Sequence, residues 1–258
     1  MGRIIATLSG GLASGYVAMM ALAQYPRADV TLYFNDTLWE DGDLYRFLTD
    51  LERVLQHPVT RDSDGRNVEE LAYYYNALPN DRMPFCSRTL KADRLQRYMR
   101  DGDTLLFGIG IDERHRASRI STRYSGEAQR RDMRVSVRFP LIEQGVTRDH
   151  IAAWYASVGI AQPALYGLGF KHNNCGGGCV RKGRAAWAQL YHKRPEVYAD
   201  RERLEREMSE HIGKPVSFNK RFSLTALRQQ LEAQPGLTFD DHDDLSVPEC
   251  IGICGTEQ

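Results

Sequence analysis

The 258-residue chain has no charge imbalance to act at a distance, since 34 basic side chains face 34 acidic ones. A neutral protein sets up no global field for nucleic acid or an anionic membrane, so any basic site has to be local. Cysteine is scarce. Five are too few to staple a disulfide scaffold, and the odd number leaves one over. That fits a reducing cytoplasm, where thiols serve metals or chemistry. Long apolar runs are missing too. Residues 4–26 carry no charge and follow Met1-Gly2-Arg3, as in an export signal, but Thr7, Ser9, Gly10 and Gly11 interrupt the run. These breaks spoil both an export core and a membrane span. Ala6 stands where a myristoylation signal needs a hydroxyl residue. There is no internal repeat. At 42% apolar and 26% charged the composition is that of an ordinary globular protein. The expectation is a soluble cytoplasmic protein that does not engage a membrane.

What is present alternates. Short apolar runs at residues 4–8, 30–35, 104–108 and 135–139 read as buried strands, and stretches 13–24 and 41–55 repeat apolar residues at helical spacing. Strands alternating with helices predict βαβ units and a parallel sheet covered on both faces, with ligands beyond the carboxyl ends of the strands. The second half reads as helices at 147–158, 183–193, 195–208 and 224–232, with Thr147 and Ser223 as N-caps and Pro195 in a first turn. The composition divides near Pro140 without a linker. This predicts an α/β core over residues 1–145 and a helical extension with a cysteine-bearing tail over 146–258.

Three features carry chemistry. Ser9-Gly10-Gly11-Leu12-Ala13-Ser14 joins the first strand to the first helix. Its glycines allow a tight turn, and amides at a helix N-terminus suit phosphate, with Ser9 and Ser14 as hydroxyl donors. The bare pattern also fits an ordinary βα turn. From Arg114 to Arg138 there are eight arginines and only two acids, Glu127 and Asp132. Guanidinium groups bind phosphate or sulfate oxygens in pairs, so an anionic ligand or a nucleic-acid backbone is the natural partner. The plainer alternative is a solvated loop paired with acids elsewhere. Cys175-Gly176-Gly177-Gly178-Cys179 and Cys250-Ile251-Gly252-Ile253-Cys254 are two close thiol pairs at glycine-rich turns. The spacing lies within the range for zinc but does not say which metal, and buried free thiols are the alternative. Asn173 and Asn174 with the glycines could form an amide nest beside them. Lys91 by itself reads as a helix-surface lysine. Tyr73, Tyr74, Tyr75 and Tyr98 could stack a base, although helical spacing favours core and rim packing. His172 and His192 read as structural, and the acidic run 240–244 reads as a solvated turn.

The glycine-serine segment resembles the PP-loop of the adenine-nucleotide α-hydrolase superfamily. Further stretches follow in the order of its PAPS-reductase-like branch. They are Phe34-Asn35-Asp36-Thr37, Phe85-Cys86-Ser87-Arg88-Thr89-Leu90-Lys91, Gly108 through Arg116, Phe139-Pro140-Leu141-Ile142, and Asn174-Cys175 to Cys179. The resemblance covers most of residues 4–208 and implies a Rossmann-like fold of the HUP type. It implies nucleotide contacts from Ser9, Gly10, Gly11, Ser14, Asp36, Lys91, Gly108, Asp112, Glu113, Arg114 and Arg116. Cys86, Cys175 and Cys179 resemble ligands of a [4Fe–4S] cluster, with Cys250 or Cys254 as the fourth and zinc as the alternative metal. The tail also resembles the segment whose thiol attacks sulfur, so Cys250 and Cys254 are the candidate catalytic thiols. Two departures stand out. Ala13 occupies a position where many ATP pyrophosphatases have Asp, and Gly110 and Ile111 stand where an arginine is often seen.

The resemblance implies an enzyme using ATP and magnesium to adenylate an acceptor, followed by sulfur transfer. The acceptor would be a nucleic acid or nucleobase, and the partner an electron- or sulfur-donor protein. A second reading is reductive cleavage of adenylyl sulfate or PAPS to sulfite. A third is a non-catalytic nucleotide- or metal-binding subunit of a larger complex, and a homo-oligomer fits any of the three.

Overall fold

A computed structural model describes residues 2–239; Cys250, Cys254 and the acidic run 240–244 lie outside the described residues. Five strands form one all-parallel sheet: β1 (Ile4–Leu8), β2 (Val30–Asp36), β3 (Val59–Ser63), β4 (Thr104–Phe107) and β5 (Ser136–Arg138), in the order β3-β2-β1-β4-β5. The chain runs outward from β1 to β3, then returns past β1 to place β4 on its other side. That reversal puts the switch point, where α/β folds open a crevice, between β1 and β4.

Among the described residues, twelve α-helices follow in chain order. Those of the first half are α1 (Leu12–Gln24), α2 (Gly42–Leu55), α3 (Val68–Tyr75), α4 (Phe85–Ser87), α5 (Asp93–Tyr98) and α6 (Arg114–Arg130). They are followed by α7 (Pro140–Glu143), α8 (Arg148–Val158), α9 (Ala164–Gly167), α10 (Arg184–Lys193), α11 (Pro195–Ile212) and α12 (Leu224–Ala233). The caps follow the sequence: Asp41, Thr147 and Ser223 each accept a backbone N–H at the start of α2, α8 and α12. Among the described residues no helix is long and apolar enough to cross a membrane.

Three apolar clusters hold the molecule. Alternate residues of β1 point to opposite faces, so Ile4, Ala6 and Leu8 join α1 and α2 while Ile5 joins α5 and α6. On α2 the apolar residues Leu44, Phe47, Leu48, Leu51 and Leu55 all turn to the sheet, each contributing about 2 kcal/mol of burial. The first cluster reaches past residue 145 to Ile151 and Tyr155 of α8. Tyr155 Oη donates to the Leu12 carbonyl, passing the bare face of Gly15. The third cluster packs α10, α11 and α12 against α3, and it also takes in Trp39, Cys86, Leu90, Cys175 and Cys179.

Two sequence readings are narrowed. The plainer alternative for the arginine-rich stretch, a solvated loop, gives way to a helix: seventeen of its residues form α6, because Ile120, Tyr124 and Ala128 bury one stripe at helical spacing. Several of its arginines are paired, Arg130 with Glu127, Arg134 with Asp101 and Arg138 with Glu143. The row Tyr73, Tyr74 and Tyr75 is not packed in the core either. All three are exposed, Tyr74 at 68%, because Leu71 and Ala72 already supply the buried face of α3.

Candidate functional site

The turn after β1 is short and tightly bonded to itself. Gly10 adopts φ +78°, and a Cβ there would lie 2.3 Å from a Leu44 methyl, so the position requires glycine. Ser14 Oγ donates to the Gly11 carbonyl (2.9 Å), lies 3.1 Å from Ser9 Oγ and accepts the Ser9 N–H at 3.1 Å. Gly11 caps α1 without a side-chain contact, which leaves the first amides of the helix to an anion. At the end of β4, Gly108 is pressed against the same helix: a Cβ would lie 2.6 Å from Ser14 Cα.

Between these ends lies a cleft spanning about 560 Å3, part of it open to solvent. Its walls include Ser9, Ser14, Asn35, Lys91, Gly108 and Tyr124. It sits at the carboxyl ends of β1, β2 and β4, beside the switch point. Burial pushes the Tyr124 hydroxyl well above its usual range. No carboxylate stands among the described residues of the wall.

A second pocket adjoins the first. It is lined by Thr37, Trp39, Cys86, Ser87, Lys91, Cys175 and Cys179, among others. All three cysteines are buried, and none of them is in a disulfide. Cys86 enters from α4, just before a π-helical turn at Arg88–Ala92 that carries Lys91. Such wide turns recur at functional sites. Cys175 and Cys179 come from the other half of the chain, on a glycine loop in which Cys175 itself has φ +52°. A left-handed backbone at a residue with a Cβ is strained and persists only where its surroundings impose it.

Lys91 belongs to both pockets. Its ammonium lies 3.1 Å from Glu40 Oε1, and the Glu40 side chain is completely buried. The same carboxylate accepts Thr37 Oγ at 3.0 Å and, through Oε2, the backbone N–H of Cys175 at 2.6 Å. A second tie is Asn173 Nδ2, which donates to the Gly10 carbonyl at 2.9 Å. Beneath the thiol loop lies Arg201, 5% exposed, with its guanidinium 3.3 Å from the Trp39 ring centroid. Its Nε has no hydrogen-bond partner, and a Cβ on Gly178 would lie 3.2 Å from that atom. Burial lowers Arg201 to about 10, while Asp200 and the Cys175 thiol act in the opposite direction.

The structure therefore gathers Ser9, Gly10, Gly11, Ser14, Lys91 and Gly108 around one cleft, and Cys86, Cys175 and Cys179 around its neighbour. The other expected contacts sit elsewhere. Asp36 Oδ1 accepts the Leu38 N–H and the Tyr45 hydroxyl. Asp112 is solvent-exposed and pairs with Arg148. Arg114 is also exposed, and Arg116 is buried against Glu113. Sequence reasoning missed Glu40 and Arg201, and it read Asn173 as part of an amide nest rather than as the donor to the Gly10 carbonyl. Each acts across more than a hundred residues of chain or from beneath a loop, and no local pattern marks them. The φ of Cys175 is likewise invisible before folding.

No family model matches the chain, and no curated protein matches it. One solved structure similar to it is the phosphate complex of phosphoadenylyl-sulfate (PAPS) reductase from Candida auris. The TM-score is 0.47 at 16% identity, over 67% of this chain and 81% of that one. Among the described residues, no three His, Cys, Asp or Glu side chains are gathered closely enough to hold a single metal ion.

Proposed function

We propose that the chain is an adenine-nucleotide enzyme of sulfur chemistry, with phosphate groups bound at the Ser9–Ser14 turn and sulfur handled at the three thiols. The observation that carries this reading is Lys91, a single cation in the wall of both a glycine-serine cleft and a thiol pocket. Loop amides and the α1 N-terminus would hold phosphate oxygens, and Lys91 would neutralise charge on the side nearer the thiols. With ATP, an acceptor oxygen attacks the α-phosphorus and pyrophosphate leaves. A sulfur nucleophile presented from the thiol pocket then displaces AMP.

The donor set of the second pocket fits an iron–sulfur group better than a bare ion. It offers three soft thiols and no imidazole or carboxylate, and a buried guanidinium beneath the loop balances negative charge. Cys86, Cys175 and Cys179 would hold the group, with Cys250 as the fourth ligand. Bound there, it would supply electrons or sulfide.

One observation favours a second reading. The cleft wall has no carboxylate among the described residues, and Ala13 adds none. Magnesium would then be held only by phosphates and water. A sulfonucleotide needs no such ion. In that reading adenylyl sulfate or PAPS binds in the same cleft, and a tail thiol, Cys250 or Cys254, attacks its sulfur and expels the adenine nucleotide; a thiol of a dithiol donor protein then attacks the resulting thiosulfonate, releasing sulfite as a disulfide forms. Anaerobic assays on protein with its native metal content separate the two: pyrophosphate from ATP in the presence of an acceptor, or sulfite from the sulfonucleotide. Nucleotide binding with neither product would instead make the chain a binding subunit of a larger complex.

A further inference from the structure

Glu40 lines neither pocket, yet it is bonded to residues of both. Its side chain is wholly buried, and it receives three donors from three separate segments: the Thr37 hydroxyl, the Lys91 ammonium and the Cys175 amide. A buried carboxylate is retained only where its charge is matched and its lone pairs are filled. Two of the donors have consequences elsewhere. Lys91 forms part of the nucleotide cleft wall. Cys175 holds a left-handed backbone at φ +52°, and the 2.6 Å bond from its N–H to Glu40 Oε2 is the contact that pins that conformation. Charge-assisted bonds of this length are the strong ones.

We propose that Glu40 is a positioning residue that couples the two pockets: it fixes Cys175 in its strained turn and restrains Lys91 between them, so that occupancy of the cleft is transmitted to the thiol loop. The logic is competitive. A phosphate or sulfate in the cleft draws Lys91 away from Glu40 Oε1. The carboxylate is then left with fewer donors, and it holds the Cys175 amide more tightly. The coupling rests on the nucleotide reading given above, whereas the hold on Cys175 does not.

Substitutions separate the two contacts. Glu40→Gln can keep an oxygen on the Cys175 amide, but it turns an NH2 toward Thr37 and Lys91. Lys91→Met removes the other end of the link, and Glu40→Ala removes everything. The measurement is amide hydrogen exchange across residues 173–179 in protein as purified, with and without saturating ATP or adenylyl sulfate. Circular dichroism and thermal melting serve as fold controls. Without nucleotide, Glu40→Ala is expected to speed exchange at Cys175 by about tenfold or more, with Glu40→Gln close to wild type. Nucleotide is expected to slow exchange there about threefold in wild type, and to leave it unchanged in Glu40→Gln and Lys91→Met. A folded Glu40→Ala with wild-type exchange at Cys175 overturns the positioning role. Nucleotide that binds wild type without changing exchange, or still changes it in Glu40→Gln, overturns the coupling. Protein that binds neither nucleotide overturns the nucleotide reading and the coupling together, and the nucleotide-free exchange still decides whether Glu40 positions Cys175.

Discussion

The cleft at the strand ends is framed by a glycine-serine turn and strand ends whose Gly10 and Gly108 tolerate no side chain, with Lys91 and Asn35 added to its wall, whereas the thiol pocket is walled by side chains that arrive from three distant parts of the chain. The first is built by short-range rules. A parallel strand must end, a helix must begin, and the turn between them needs Gly10 at φ +78°. The second is built by docking. Cys86 comes from the sheet half, Cys175 and Cys179 from a loop before α10, and Trp39 and Arg201 form the floor. A site of the first kind tolerates almost no added atom, while one of the second kind depends on buried charges remaining matched.

The strongest test of that difference is Gly108→Ala. The new Cβ would lie 2.6 Å from Ser14 Cα and 2.7 Å from its nitrogen, both backbone atoms that cannot rotate away. A loss of about 3 kcal/mol in stability is expected, together with loss of nucleotide binding. Gly110→Ala, where nothing lies within 4 Å of the added atom, should be close to neutral. Urea unfolding of the pair measures this. Equal effects would mean that the end of β4 is not clamped to α1.

The helical half should instead respond to pH. Glu205, 3% exposed, accepts the backbone N–H groups of Phe218 and Leu224, and burial raises its carboxyl to about 7. A carboxyl raised on folding stabilises the protein fully below its unfolded pKa, near 4.3. That contribution is lost as pH climbs through the folded value. Stability should therefore fall by about 2–3 kcal/mol between pH 4.5 and 7.5 on account of this group. Glu205→Gln should flatten the slope while lowering stability at acid pH, because its NH2 faces backbone donors. Urea midpoints across that range give the answer; an unchanged slope would move the titration to another group.

This division also explains what could be read before folding. Four of the five strands, the turn, the caps at Thr147 and Ser223 and the amphipathic face of α2 follow from neighbours within a few positions and appear where the pattern puts them, whereas β3, with a mostly polar sequence, and the cap at Asp41 were not read. The spacing paired Cys175 with Cys179, and only the resemblance to a cluster-binding branch joined Cys86 to them. Helix α6 was obscured by its charge: five of the eight arginines of the 114–138 stretch lie on it and read as an anion site or a solvated loop, while Ile120, Tyr124 and Ala128 supply a buried stripe. Glu40 and Asn173 look like ordinary polar residues. Their partners lie 135 and 163 positions away, at a range where sequence pattern carries no signal.

Asn173 provides the gentlest test, because it touches both kinds of construction. Its amide reaches across from the thiol loop to the Gly10 carbonyl at 2.9 Å, and the residue is 4% exposed. Asn173→Ala would leave that carbonyl buried without its donor, at a cost of about 1 kcal/mol. The turn would keep its shape, because Leu44 packing and the Ser14 hydrogen bonds are untouched. Its anchorage to the helical half would be lost. The expected result is a small drop in unfolding midpoint and a loss of up to about tenfold in nucleotide affinity, with the thiols still buried. Calorimetric titration with ATP or adenylyl sulfate beside thermal melting reads both quantities. If affinity falls far more than stability allows, the glycine turn is not self-sufficient, and the short-range description of the cleft has to include the loop that carries Cys175.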